Sequence, residues 1–185
     1  PLYSSAASDV YKRQLIYQPV SQSVNPSPAE TARLLRLATN ASVITAALLI
    51  GAKTIAWLLS GSVSVLASLV DSLMDVVASA INLVAVRYSL TPPDAEHRFG
   101  HGKAESLAGL AQATFIAGSA VFLVLHAVER VLKPAPLEDL GVAVGVMAFS
   151  MVATLVLLAI QRHVIRRTHS TAIRADSLHY LSDLL

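Results

Sequence analysis

Apolar residues run in long blocks along this chain, and the polar residues fall mainly between the blocks. No Asp, Glu, Lys or Arg occurs over residues 106–128 or 140–161. A helix needs about 20 residues to cross a hydrocarbon core of roughly 30 Å, so each stretch is long enough for one span. The pattern predicts spans over residues 37–59, 63–88, 104–128 and 140–160, with a fifth starting near Thr171. The sequence stops at Leu185 with that fifth span still in mid-crossing. Ser60-Gly61-Ser62 makes the first turn. Prolines in the hydrophilic loop Thr91 to Lys103 end the second helix, and Lys133-Pro134-Ala135-Pro136 breaks the chain before the fourth. The fold class is all-α, a polytopic helical membrane bundle. Residues 1–30 are polar and aperiodic and read as a disordered leader, in which Leu2 to Gln14 (LYSSAASDVYKRQ) reads as non-native sequence. Residues 31–185 make up the transmembrane domain.

Composition agrees: 54% of the 185 residues are hydrophobic and 14% charged, against about 25% charged in ordinary soluble domains. The length leaves room for one helical membrane domain and no second globular one. There is no cysteine, which removes disulfides, thiolate metal sites and cysteine nucleophiles. Net charge is +2, and the basic residues sit at segment ends. They read as topology signals, not as a nucleic-acid patch. Arg33, Arg36, Arg87, Arg98, Lys103, Arg162, Arg166, Arg167 and Arg174 fall on one side, with Arg130 and Lys133 on the other. The positive-inside rule then puts the N-terminus and the loop around His101 in the cytoplasm.

Asp71 and Asp75 lie inside the second span, four residues apart and so on one helix face. A carboxylate at such depth costs about 2.5–3.5 kcal/mol on insertion scales, so it should be paired, coordinating or functional. Ser64, Ser68, Asp71, Asp75, Ser79 and Asn82 fall within an arc of roughly 80°, which makes one whole face polar. The fifth helix carries the complement. His179 and Asp183 are four apart, with Asp176 one turn earlier on nearly the same face. At about 1.5 Å per residue, Asp71 and His179 each lie roughly 12 Å in from opposite faces, and Asp75 and Asp183 roughly 18 Å. Antiparallel helices would thus bring Asp75 level with His179 and Asp71 level with Asp183. Three carboxylates and one imidazole suit zinc and tolerate ferrous iron, cadmium or manganese. A proton relay, or a structural pair for Lys53, is the alternative reading of the two aspartates.

The runs GSVSVLASLVDSLMDVVAS, VRYSLTPPDAEHRFGHGKAESLAGLAQ and RADSLHYLSD resemble the cation diffusion facilitator family, particularly its bacterial ferrous-iron and zinc efflux pumps. The similarity runs from about Ala38 to Leu185. It implies six transmembrane helices, of which five are present here, and a C-terminal cytoplasmic domain that is not. It also implies a homodimer in the cytoplasmic membrane and exchange of Zn2+, Fe2+ or Cd2+ for protons. The family's transport site falls on Asp71, Asp75, His179 and Asp183, and its loop site on Asp94, His97 and His101. Lys103 resembles a position that pairs with the cytoplasmic domain across the dimer. No prosthetic group and no enzymatic activity are implied.

Gly100 and Gly102 let the backbone bend around His101. Without the resemblance, a solvated polar loop is the plainer reading of this segment, and Glu96 is a substitute for Asp94 as ligand. Lys53 is expected to snorkel to the outer surface. Glu105, Gln112, Ser119 and His126 recur every seven residues on the third span, a seam expected to serve helix–helix hydrogen bonding. His163 and His169 are expected to be solvated. Two other classes compete with an exporter. An intramembrane metal hydrolase would need a spare acid or base, and the chain has no HExxH motif. A passive cation channel would show rings of charge and no proton dependence.

Overall fold

The structure, a computed structural model, describes residues 26–132 and 140–184. The expected leader up to residue 25, the Lys133 to Pro136 breaker and Leu185 lie outside the described residues, as do the side chains of His126 and Arg130. Five helices occupy the described chain: α1 Pro28–Ser60, α2 Val63–Ser89, α3 Lys103–Leu132, α4 Leu140–Thr168 and α5 Thr171–Ser182.

Local chemistry sets their ends. The leader was expected to reach residue 30, but helix begins at Pro28. Ser27 accepts a hydrogen bond from the Glu30 N–H, and proline fills a first-turn position that needs no donor. At the other end of α1, Gly61 adopts φ 62 and its N–H returns to the Trp57 carbonyl, a left-handed cap that glycine accepts without strain. Pro92 and Pro93 follow α2 and keep it from continuing. Helix α4 runs past its expected end at residue 160 to Thr168, because Gln161 and Val164 are buried against neighbouring helices. His169 then takes φ 53, its N–H bonded to Ile165 O at 2.9 Å, and Ser170 caps α5 by accepting from Ile173 N at 3.2 Å. This joint turns the chain back with α4 and α5 side by side.

Four helices among the described residues are long and apolar enough to cross a membrane, namely α1 to α4. The fifth expected span falls on α5, which is shorter than these four. It has 12 residues, about 18 Å of helix, and carries Arg174, Asp176 and His179.

Neighbouring helices form a ring in the order α1, α2, α3, α5, α4 and back to α1, and α5 also touches α1 and α2. Small residues stand where the helices approach: Ala38, Ala46, Ala56 and Ala78 are buried. Long apolar side chains such as Leu58, Leu59, Val121, Leu125 and Val156 cover the outside. Small inside and large outside is the pattern lipid as solvent favours, since tails are as apolar as leucine.

The interior also holds a polar hub. Asp176, with no exposed surface, accepts hydrogen bonds from Ser42 Oγ at 2.6 Å, Gln112 Nε2 at 2.7 Å and Gln161 Nε2 at 2.8 Å. Those donors come from α1, α3 and α4, so one carboxylate ties α5 to three other helices. A buried carboxylate is tolerable only with such donors. One turn further along α5 stands His179.

Candidate metal centre

His179 Nε2 lies 3.1 Å from Asp75 Oδ1 and 3.9 Å from Asp183 Oδ2. One ligand atom from each of the three residues falls within 4.8 Å of the others, a spacing that could hold a metal ion. The imidazole is buried, and Nδ1 has no protein partner. When Nε2 lends its lone pair to a cation, Nδ1 must carry the ring proton. Tyr180, next along α5, shares a hydrogen bond of 2.8 Å with Ser79 of α2. This contact fixes the rotation of α5 against α2 and so the approach of His179 to Asp75. The depth matching read from the sequence agrees with this pairing.

Asp71 stands outside the triad but lines the same cavity, of about 290 Å³, together with Asp75 and Asp183. It faces the space from one turn closer to the N-terminus of α2, where it can serve the cation directly or through water. Helix α4 closes the opposite wall with Ser150 and Thr154. Ser150 Oγ is buried with no protein partner. These two residues were not singled out from the sequence, although Ser150, Thr154 and Gln161 are spaced four and seven apart in the otherwise apolar stretch 140–161.

Lys53 corrects an expectation. It does not reach for the surface: Nζ donates to Ser72 Oγ at 2.6 Å and to the Ser68 carbonyl at 3.1 Å, and the residue lines the cavity beside Asp71. Its helix turns it toward α2, and those two acceptors hold it there. Ser72, buried under this contact, lies about 20° outside the polar arc read from the sequence.

A second group gathers in the loop. Asp94 Oδ1 lies 3.3 Å from His97 Nδ1, and Asp94 Oδ2 lies 3.4 Å from His101 Nε2. The three offer ligand atoms within 4.8 Å of one another, and Glu96 is not among them. Asp94 also accepts from the backbone N–H groups of Glu96 and His97. The His97 N–H is the chief reason the Asp94 carboxyl sits below the usual carboxylate range. His101 is buried edge-on against Tyr88, ring centroids 4.5 Å apart, while Asp94 and His97 are exposed. Gly100 takes φ 80 beside it, a left-handed conformation that lets the loop close.

The heptad seam on α3 serves helix contacts at two positions. Gln112 reaches Asp176, and Glu105 Oε1 accepts from the Thr171 N–H at 2.9 Å, at the start of α5. Ser119 lines a small cleft with Met74. His163, His169 and Lys103 are exposed.

The model of the cation efflux transmembrane domain matches residues 40–185. The cation-efflux pumps FieF of Salmonella agona (strain SL483) and Salmonella paratyphi A (strain ATCC 9150 / SARB42) are each 52% identical over 153 residues, 83% of this chain and 51% of theirs. The chain thus spans about half the length of the curated relatives it matches. Sequence match and helical bundle agree, and this chain belongs to the cation efflux family through its transmembrane domain.

Proposed function

We propose that the chain is the membrane portion of an exporter that moves a divalent metal ion out of the cell in exchange for protons. Zinc, ferrous iron and cadmium are the cargo its donor set suits. The observation that carries this reading is the convergence of Asp75, His179 and Asp183 from antiparallel helices to within 4.8 Å of one another, with Asp75 and Asp183 lining one cavity. Asp71 completes the set as a fourth, more peripheral ligand. Metal binding requires neutral imidazole and ionised carboxylates, so protons and cargo compete for the same atoms. Cytoplasmic metal displaces protons; with the cavity turned outward, protons displace metal. Rocking of α2 and α5 against the remaining helices would switch the cavity between faces.

Asp94, His97 and His101 form a second, weaker metal site at the cytoplasmic mouth, completed by water. The whole protein sits in the cytoplasmic membrane with its N-terminus inside. It carries a sixth helix and a C-terminal cytoplasmic domain, and it works as a homodimer. FieF, a cation-efflux pump by name, supports the direction of transport.

Zinc uptake into vesicles holding the full-length protein tests the proposal. Uptake should follow an imposed pH gradient and vanish in Asp75→Ala. Uptake indifferent to the gradient would favour a passive channel and remove the exchange.

A further inference from the structure

Lys53 is a cation carried inside a span, about two turns short of the end of α1. A lysine so placed ordinarily sends its ammonium along the helix to the interface. Here two of its three N–H donors are committed to α2, to Ser72 Oγ at 2.6 Å and Ser68 O at 3.1 Å. Ser72 has no exposed surface, which makes that end of the tether buried, while the bond to Ser68 O faces the open side of the cavity. The acceptors stand on either side of Asp71 in the chain, and Lys53, Asp71, Asp75 and Asp183 share one cavity. Its positive charge acts on Asp71 and on Asp183.

The charge count gives this placement a consequence. Ionised Asp71, Asp75 and Asp183 bring three negative charges, and neutral His179 brings none. Lys53 reduces the cavity to a net charge of minus two. A divalent ion then leaves it neutral; without the lysine the same ion would leave one uncompensated negative charge in a region of low dielectric. Net charge buried there is expensive.

We propose that Lys53 is a specificity-determining residue, a tethered counter-cation that matches the cavity to divalent cargo and keeps that cargo releasable. This rests on the metal-site reading above. The lysine need not touch the ion. It repels it, so the carboxylates hold cargo less tightly than they otherwise would.

The test uses full-length protein in detergent and in vesicles, with Lys53→Met, Lys53→Gln, Lys53→Arg and Asp75→Ala. Zinc binding by calorimetry should tighten at least tenfold in Lys53→Met and Lys53→Gln and stay near wild type in Lys53→Arg. Zinc transport in the first two should show KM and kcat falling together, since tighter cargo leaves more slowly. A trivalent lanthanide should compete with zinc in those variants far better than in wild type. A residue that only packs α1 against α2 would lower the yield of folded protein without tightening zinc or changing the valence preference. Lys53→Gln keeps a polar partner for Ser72, so misfolding of Lys53→Met alone does not decide the matter. Unchanged or weaker zinc binding in folded Lys53→Gln overturns the inference while Asp75→Ala still abolishes binding. Full binding by Asp75→Ala overturns the metal site itself, and the inference with it.

Discussion

Replacing Asp176 by leucine tests how far the polar hub holds the helices in place. The substitution strips different donors to different degrees. Ser42 Oγ keeps its bond to the Ala38 carbonyl at 3.1 Å, and Gln161 Nε2 keeps Ser42 Oγ at 3.1 Å. Gln112 Nε2 loses its acceptor at 2.7 Å, leaving a buried amide unsatisfied at a cost of about 1–3 kcal/mol. Adding the weakened bonds to Ser42 and Gln161, Asp176→Leu should destabilise the bundle by about 3–5 kcal/mol. Gln112→Leu alone removes one donor to a carboxylate, for about 1.5–3 kcal/mol. The two effects should not add. Once the carboxylate is gone, Gln112 is itself the unsatisfied group, so the double variant should be no less stable than Asp176→Leu. A double-mutant cycle on full-length protein, unfolded with rising SDS in mixed micelles and followed by circular dichroism, reads this coupling. Additive losses would refute the hub, as would an Asp176→Leu protein within about 1 kcal/mol of wild type.

Three further outcomes follow from the loop and the helix joint. Asp94, held below the ordinary carboxylate value of about 3.9, contributes to loop order above that pH, and the contribution is lost as pH falls through its lower folded value. The amide signals of Glu96 and His97 should therefore move with a midpoint below 3.9 in an NMR titration; a midpoint at or above the ordinary value contradicts the bond to His97. Gly100→Ala has room, its added Cβ lying 3.7 Å from Pro93 Cγ, but φ 80 is strained for alanine, at about 1–2 kcal/mol. Calorimetry should show zinc binding lost or weakened at the loop and unchanged in the membrane. Glu105→Ala removes the acceptor for the Thr171 N–H and should cost about 0.5–2 kcal/mol of stability in detergent melting. Glu105→Gln, which keeps an oxygen there, should recover most of that loss.

Much of the architecture was legible because hydropathy along a helix is local: charge-free blocks mark spans whatever surrounds them. The pairs Asp71–Asp75 and His179–Asp183 were legible for the same reason, since four residues define one face of any α-helix. Rotation of one helix against another is not local. Lys53 faces α2 and not the lipid because α1 is turned that way, and the sequence of α1 does not contain that angle. The same holds for Asp71, which shares the cavity but stands outside the triad. Helix α4 outran its apolar block because Gln161, a poor candidate for a span by hydropathy, is buried in a bond to Asp176. Asp176 itself was visible on the ligand face of α5. Only the meeting of donors from α1, α3 and α4 separates its role from that of His179. In the loop, the grouping of Asp94, His97 and His101 came from the family resemblance and not from the residues alone, and the burial of His101 depends on Tyr88, more than ten residues away.

Anomalous X-ray scattering at the zinc edge, from crystals of the full-length protein soaked with zinc, addresses the centre of the account. A peak is expected between α2 and α5, about 2.0–2.1 Å from His179 Nε2 and about 2.0–2.2 Å from carboxylate oxygens of Asp75 and Asp183. Zinc seen at the loop histidines while the space between Asp75 and His179 stays without a peak would contradict it.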